Sequence, residues 1–566
     1  MWSYDPGMSQ EHCTRADMVG KLDGDYDVLV VGGGITGTGI ARDAARRGLR
    51  VALIEQDDLA FGTSSRSSKL VHGGLRYLEQ YEFSLVFESV SERRILMDLA
   101  PHLVNPLGFV FPVYEQDRHE LWLINAGMWL YDGLSLFRSP KRHRNLRPAD
   151  VEEEVPELLQ DELKGAPLYF DCSTDDARLT LETGLDAAAN GAVIATHCRA
   201  RRLLKDARGR IGGILAEDVI SGERYTVRAN VVVNATGPWT DDIRRLHKEA
   251  APELLRPTKG VHLVISRSKL PIQHAVVCLH PDDQRVLFAI PWGDRAYIGT
   301  TDTDYEGDPA EVAATADDVR YLLEACAHYF PDNPIDSDDI IATWAGLRPL
   351  IAPDAPEGMS ASKVSREHQI LVDPKGLVTV AGGKLTTFRR MAAEAVDDTI
   401  RLLQLLGCKP NDLRACDTAK HPLPGGVGWP KNDDHEHVAS LVAEASEGSL
   451  GLESSQALAN CYGMRALDIA KLCAARPSMA EPIVPGRPEV IAQIHFGVER
   501  ELAARLNDVM TRRTQLFYRD VDQGLKVAHR VAEEMGGLLG WDQDRKEAEI
   551  ERYRVEVGLS RGWRED

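Results

Sequence analysis

Several things are scarce in this 566-residue chain, and each scarcity removes a class of explanation. No apolar run approaches the roughly 18 residues that a membrane-spanning helix requires, so contact with a bilayer is expected to be peripheral. The residues up to about Asp23 are polar and carry no apolar signal-peptide core, and the expected location is cytoplasmic. Nine cysteines are scattered from Cys13 to Cys473 with no CxxC pair. They read as reduced thiols, without a disulfide framework or a zinc site, and no metal is expected. Positive charge is in deficit: the formal net charge of −21 disfavours a nucleic-acid partner, because phosphates would be repelled. A small anionic ligand is not excluded, since a local pocket rather than the global field would hold it. Internal repeats and long low-complexity tracts are also missing. The length is too great for one core and suggests two or three domains.

What is present begins at residue 26. Val28 to Val31 is an apolar run that reads as a buried parallel strand, and it leads straight into Gly32-x-Gly34-x-x-Gly37. An alanine-rich helix is predicted from about Thr38 to Arg47, followed by a second apolar run, Val51 to Ile54, that ends in Glu55. This is a full βαβ unit with an acid at its far end, the pattern of a dinucleotide site. Gly32 permits the tight turn, Gly34 lets backbone approach a pyrophosphate, and Gly37 lets the helix pack close to the strand. The helix N-terminus stabilises the diphosphate charge, and Glu55 can accept from ribose hydroxyls.

The pattern of strand then glycine returns at residues 230–237 and again at residues 377–383, the latter followed by a long helix predicted from about Thr387 to Leu406. Residues 193–197 read as a strand, and residues 212–217 and 223–229 flank Ser221-Gly222 as a hairpin. Segments so far apart suggest one dinucleotide domain, 24–98, 168–250 and 345–406, interrupted by insertions. The insertions, 99–167 and 251–344, carry β-rich patterns such as Val261–Ile265, Val286–Ile290 and Ala296–Gly299 and are expected to form a substrate domain. A Pro/Gly and acidic linker is expected over about 420–436, within a C-terminal helical domain of residues 407–566 that ends in a charged tail beyond about Gly537. The expected fold class is therefore α/β: a Rossmann-type cofactor domain with an inserted mixed β-sheet domain and a helical C-terminal domain.

A glycine motif near the N-terminus, with its fold completed by distant segments, is the arrangement of FAD proteins. A second block narrows the chemistry. Thr63-Ser-Ser-Arg-Ser-Ser-Lys-Leu-Val-His-Gly-Gly-Leu-Arg-Tyr77 is dense in hydroxyls, glycines and positive charge. Ser64, Ser65 and Ser67 can donate to phosphate oxygens, Gly73 and Gly74 would let backbone run against a flat ring, and Arg76 and Tyr77 would project toward a substrate.

This block resembles that of the FAD-dependent glycerol-3-phosphate dehydrogenases, respiratory flavoenzymes with the glycine/sarcosine-oxidase-type FAD fold. The resemblance continues through Tyr81-Glu82-Phe83, Asp175-Asp176-Ala-Arg-Leu179, Asn234-Ala-Thr-Gly-Pro-Trp239, Lys259-Gly-Val-His262, Ile298-Gly-Thr-Thr-Asp302, Gly346-Leu-Arg-Pro-Leu350 and Gly382-Gly-Lys-Leu-Thr-Thr-Phe388. The C-terminal part keeps Leu423-Pro-Gly-Gly426 and Arg512-Arg513-Thr514. The region around 115–165 and the N-terminal extension match less clearly.

The resemblance implies a tightly but noncovalently held FAD. Its site would draw on Gly32, Gly33, Gly34, Ile35, Thr36 and Gly37, then on Glu55 and Gln56. The second block would add Thr63, Ser64, Ser65, Ser67, Lys69 and Leu70, with His72, Gly73 and Gly74 near the ring. Later segments would supply Ala200, Ala235, Gly237 and Trp239, and then Gly383, Lys384, Leu385 and Thr386. A helix starting near Thr386 would aim its positive end at the flavin edge that gains charge on reduction.

Glycerol 3-phosphate is a small dianion with a secondary alcohol, so its oxidation needs cations for the phosphate and a base for the alcohol. Arg76, Tyr77, Arg348 and Lys384 are expected to anchor it, since a guanidinium can bind phosphate through two parallel hydrogen bonds. His262 is the leading general-base candidate because an ordinary imidazole titrates near neutral pH. The alternative is that His262 only orients the substrate and Lys384 or a water takes the proton. The implied acceptor is a membrane quinone, with oxygen as the alternative. Leu121 to Phe137, rich in tryptophan and followed by Arg138, Lys141, Arg142, Arg144 and Arg147, suits anionic lipid headgroups, although it also fits an internal helix beside a solvated loop. Asp508 and Arg512 are spaced for an i,i+4 salt bridge with a structural role. A homodimer is expected. Competing functions are a sarcosine- or amino-acid-type oxidase on the same fold and a non-catalytic scaffold.

Overall fold

The apolar run before the glycine motif forms the strand Asp25–Val31, buried on both faces as a central parallel strand must be. A computed structural model describes residues 14–75, 81–117, 120–135, 140–351, 368–410 and 412–565. Asp25–Val31 pairs in parallel with Val51–Ile54 on one side and Arg224–Asn234 on the other. Leu377–Ala381 and Val193–Ala195 extend this eight-stranded sheet, and Gln369–Asp373 closes one edge in antiparallel fashion. Arg224–Asn234 serves twice: its first half is an arm of the hairpin with Ile211–Asp218, and its second half is the buried parallel strand.

The helix after the glycines spans Ile35–Arg46, three residues earlier than the alanine content suggested, with Gly34 as its N-cap. It packs between the helices Asp176–Ala189 and Phe388–Leu405. Two glycines make this closeness possible: a Cβ on Gly37 would lie 1.8 Å from the Gly32 carbonyl oxygen, and one on Gly39 would lie 2.9 Å from the Phe388 ring.

The second sheet has eleven strands. Its axis is the antiparallel pair Leu255–Ser266 and Ile340–Ile351, joined from Leu255↔Ile351 to Ile265↔Ile340. Leu70–Val71 and Leu163–Ser173 also belong to it. The expected segment edges at 168 and 345 thus fall inside strands of this sheet. One face packs on Ala316–Tyr329, and the other packs on the C-terminal helices in a core that includes Trp344, Phe517, Tyr518 and Tyr553.

Two expectations about the C-terminal part are corrected. The stretch taken as a linker is packed in its first part: Leu423, Gly425 and Gly426 are buried, and the Gly425 amide donates to Glu182 at 3.0 Å, while Val427, Gly428 and residues 431–433 are exposed. The charged tail is the helix Gln543–Arg561, which buries Ile550, Tyr553 and Val557 at i, i+3 and i+7. Its Ser560 hydroxyl donates to the Thr343 carbonyl at 2.9 Å and accepts from the Thr343 amide at 3.0 Å.

Candidate active site

Two connected cavities lie where the sheets meet. The larger, about 430 Å³, begins at Gly32, Gly34, Glu55 and Gln56, passes Ala200, Ala235, Gly237 and Trp239, and ends at Gly382–Leu385. The smaller, about 180 Å³, shares Thr63, Ser67, Pro349 and Gly382–Leu385 with it and adds Ser68, Leu70, His72, Arg348 and Thr386.

The large cavity has main-chain walls. Gly32 turns with φ +110°, and a Cβ there would strike the Ala235 carbonyl at 2.5 Å. A Cβ on Gly34 would meet only Ser64 Oγ, at 3.1 Å, so this peptide faces the cavity bare. The Ser64 hydroxyl accepts from the Ile35 amide at 2.9 Å, which leaves its own hydrogen for a ligand. Glu55 accepts from the amides of Gly33 at 2.6 Å and Asp57 at 2.9 Å, while burial pushes its carboxyl up to about 7. At the other end Gly382 and Gly383 turn with φ +70° and +98°, and Lys384 and Leu385, just ahead of the helix Phe388–Leu405, continue the wall. Bare glycine peptides at a helix N-terminus, a carboxylate at the far end and an open turn before a second helix suit a dinucleotide.

The second sheet gives the small cavity Leu70 and Arg348–Ile351. Strand register sets Arg348 opposite Thr258, and His262 opposite both Trp344 and Gly299. Glycines supply the room: a Cβ on Gly260 would lie 2.6 Å from Arg348 Nη2, and one on Gly299 would lie 2.2 Å from the His262 ring. Arg348 reaches Asp302 at 3.1 Å, Thr300 Oγ1 at 3.2 Å and the Thr301 carbonyl at 3.3 Å, with 24% of its side chain exposed. His72 is tied to the glycine turn, its amide donating to Thr386 Oγ1 at 3.1 Å.

His262 is placed differently from expectation. It is 3% exposed and lines neither cavity. Its ring stacks on Trp344 at 4.7 Å, and Nε2 lies 2.9 Å from the hydroxyl of Ser68, which does line the smaller cavity. Burial, then the charges of Arg348 and Lys69, hold its pKa well below the ordinary histidine value.

Other expected residues are also relocated. Lys69 is buried away from both cavities and pairs with Asp176 at 2.6 Å. Burial opposes its charge, but Asp176 and Asp175 outweigh that and raise its pKa. Ser65 is buried with its carbonyl accepting from Lys69 Nζ at 3.1 Å, and the Ser67 hydroxyl donates to Asp176 at 2.7 Å rather than to a ligand. Gly73 lines neither cavity: its amide donates to Asp171 at 3.0 Å, and a Cβ would lie 2.1 Å from the Tyr131 hydroxyl. Gly33 and Gly37 likewise support the turn from behind. Arg76 and Tyr77 lie outside the described residues. Sequence reasoning missed Ser68, Arg199 and the Thr300–Asp302 segment that holds Arg348, although Ile298-Gly-Thr-Thr-Asp302 stood out as a motif.

Beside the site, the helices Phe83–Leu99 and Leu121–Leu134 bring Val90 and Tyr131 against Gly73. Their outer side exposes Phe87, Trp122 at 70% and Trp129 at 60%. The neighbouring basic cluster is partly neutralised: Arg144 pairs with Glu154 at 2.5 Å and Arg147 with Asp150 at 3.0 Å, while Arg138 lies outside the described residues. Among the described residues no helix is long and apolar enough to cross a membrane.

Residues 27–395 match a family model described as FAD dependent oxidoreductase, and residues 416–546 match one described as the C-terminal domain of alpha-glycerophosphate oxidase. An aerobic glycerol-3-phosphate dehydrogenase of Staphylococcus epidermidis is 36% identical over 543 residues, covering 95% of each chain. A glycerol-3-phosphate dehydrogenase from Bacillus halodurans, solved complexed with FAD, superposes with a TM-score of 0.79 at 31% identity and covers 96% of this chain and 97% of its own. An L-alpha-glycerophosphate oxidase from Mycoplasma pneumoniae, with FAD bound, shares the fold at a TM-score of 0.54 and 17% identity over 71% of this chain and 99% of its own.

Proposed function

The chain belongs to the FAD-dependent glycerol-3-phosphate dehydrogenase family, and from that premise we propose that it oxidises sn-glycerol 3-phosphate to dihydroxyacetone phosphate and passes the electrons to a respiratory quinone. One observation carries the substrate reading: Arg348 and Lys384 share a 180 Å³ cavity that opens onto the dinucleotide cavity through Gly382–Leu385. That volume suits a three-carbon phosphoester, and the two cations suit its dianionic head. A guanidinium fork binds two phosphate oxygens at once, and Lys384 adds a point charge. Arg76 and Tyr77 are proposed to complete the grip.

The peptides of Gly32, Gly34, Ile35 and Thr36 would hold the pyrophosphate of FAD, Glu55 would take its ribose hydroxyls, and Gly382–Leu385 would line the flavin end of the cavity. Bound there, FAD supplies the acceptor for the hydride from C2. His262, neutral at pH 7 because of its burial, is proposed to take the alcohol proton, and Lys384 with the helix N-terminus offsets negative charge at the flavin edge.

Anaerobic addition of glycerol 3-phosphate is expected to bleach the bound flavin, while sarcosine leaves it yellow. A flavin unmoved by glycerol 3-phosphate sinks the assignment. Reoxidation by a soluble quinone analogue without peroxide supports the acceptor; stoichiometric peroxide in air marks an oxidase instead. The exposed tryptophans beside Gly73 support a peripheral seat on the bilayer, where such a quinone dissolves. Replacing Trp122 and Trp129 by serine should abolish flotation with anionic liposomes and leave turnover with a dye acceptor intact. Flotation that persists refutes that seat.

A further inference from the structure

We propose that Ser68 is the group that meets the substrate alcohol, and that it relays the proton to Nε2 of His262 behind it. The relay rests on the reading that glycerol 3-phosphate is the substrate.

Of the two residues, only Ser68 reaches the cavity that holds Arg348 and Lys384. His262 stands behind it, with Nε2 2.9 Å from Ser68 Oγ. Neither can easily swing to change this order. The imidazole is stacked on Trp344 within 16° of parallel, meets the Tyr297 ring at 6.0 Å, and has Gly299 pressed against its other side. The serine backbone is held by the same two aromatics: the Tyr297 hydroxyl donates to the Ser68 carbonyl at 2.9 Å, and Trp344 Nε1 donates to the Ser67 carbonyl at 3.1 Å. A substrate oxygen in the cavity therefore finds a hydroxyl at the wall and an imidazole one hydrogen bond further in. The Nδ1 atom has no hydrogen-bond partner among the described residues, so no neighbour fixes the ring tautomer. The relay uses the form with hydrogen on Nδ1, whose Nε2 lone pair accepts from Ser68.

The step balances. The substrate O–H bond breaks and its proton joins Ser68 Oγ, while the serine's own proton forms the N–H bond at Nε2. Ser68 ends with one proton, as it began. The carbonyl forms as the C2 hydrogen departs with its electron pair to FAD, and no other reagent is consumed.

A buried imidazole must then carry charge. The groups that oppose this are burial itself, Arg348 and Lys69, while the Tyr297 phenol stays neutral because burial raises its pKa well above the ordinary value. Lys69 is already paired with Asp176. Arg348 is the adjustable member: a phosphate dianion on its guanidinium offsets that charge. Phosphate binding thereby makes His262 more basic at the moment the alcohol arrives.

The test is anaerobic stopped-flow reduction of the FAD-loaded protein between pH 5.5 and 9, in H2O and D2O. Ser68→Ala and His262→Gln are each expected to slow reduction by about 100-fold, the lower end of general-base effects. The double variant should be no slower than the slower single variant, because the two act as one unit. The acid-side limb and the solvent isotope effect of the wild type should vanish in His262→Gln, and Ser68→Thr should recover most of the rate. The substrate Kd from flavin spectral perturbation and the FAD content should stay within about threefold. Ser68→Ala at the wild-type rate, additive losses in the double variant, or a variant that loses FAD or substrate affinity instead of rate would each overturn the relay. A wild-type flavin that glycerol 3-phosphate fails to reduce defeats the substrate reading, and the relay with it.

Discussion

Arginines serve this protein in two regimes that sit at opposite ends of the cofactor cavity. At the junction with the C-terminal helices, Arg512 and Arg513 are buried and give their donors to Asp58, Asp508 and the Glu501 carbonyl, several at 2.6 to 2.9 Å. His197 joins this network, its Nε2 2.9 Å from Asp508. Arg348 instead is partly exposed in the small cavity, and its contacts to Asp302, Thr300 and Thr301 are longer, at 3.1 to 3.3 Å. A desolvated guanidinium with short partners on carboxylates is committed to the fold, because losing a partner strands a buried charge. A guanidinium held loosely at a cavity wall can trade its contacts for a phosphate. The side chain is the same, and burial with bond length decides which task it performs.

The sharpest break of this contrast is Arg513→Met. It leaves Asp58 short of a partner in a fully buried setting, and an expected loss of about 3–5 kcal/mol follows from such broken pairs. Urea unfolding of the FAD-loaded protein measures it, and unchanged stability would place this arginine in the second regime. Next in size is Arg348→Ala, expected to weaken glycerol 3-phosphate binding by about 10- to 100-fold, the equivalent of charge-assisted hydrogen bonds worth roughly 1.5–3 kcal/mol. Its unfolding midpoint should hardly move; a collapse of stability would erase the distinction. The smallest effect probes the cofactor cavity beside the buried regime, at Glu55, three residues before Asp58. Its folded pKa is lifted by burial from 4.5 to about 7, so the neutral carboxyl is favoured in the fold. That contribution to stability is present at low pH and is lost as pH rises through about 7. Ribose hydroxyls favour the ionised form. Apoprotein should therefore bind FAD more tightly at pH 8 than at pH 6, by up to about tenfold, and Glu55→Gln should flatten the profile in a fluorescence titration. An equally steep profile in that variant would assign the titration elsewhere.

The cofactor end was legible in the sequence because its parts are local. Gly32, Gly34, Gly37 and Glu55 lie within one βαβ unit, and each does its work through backbone or a short reach. The substrate end was legible only as residue types. Arg348 stands out in Gly346-Leu-Arg-Pro-Leu350, but the register that sets it over Gly260 exists only once the distant strands Leu255–Ser266 and Ile340–Ile351 are paired. Lys69 misled for the same reason: among serines and glycines it resembles a phosphate ligand, yet Asp176, distant in sequence, captures it. Ser68 carried no signal of its own beside Ser64, Ser65 and Ser67. The helix Gln543–Arg561 was hidden by charge, since its buried Ile550, Tyr553 and Val557 form a narrow stripe between many exposed ionic side chains.

That last helix has a consequence for how the protein is made. Through Ser560 it closes hydrogen bonds on Thr343, one residue before the tryptophan that supports His262, and through Glu556 it reaches Arg66 at 3.3 Å. On a ribosome, the support behind the smaller cavity therefore stays unfinished until translation has passed residue 560, although the glycine motif emerged more than 500 residues earlier. The nucleotide end also waits, first for Leu377–Leu385 and then for the arginines that hold Asp58, so competence arrives only with the final stretch of synthesis.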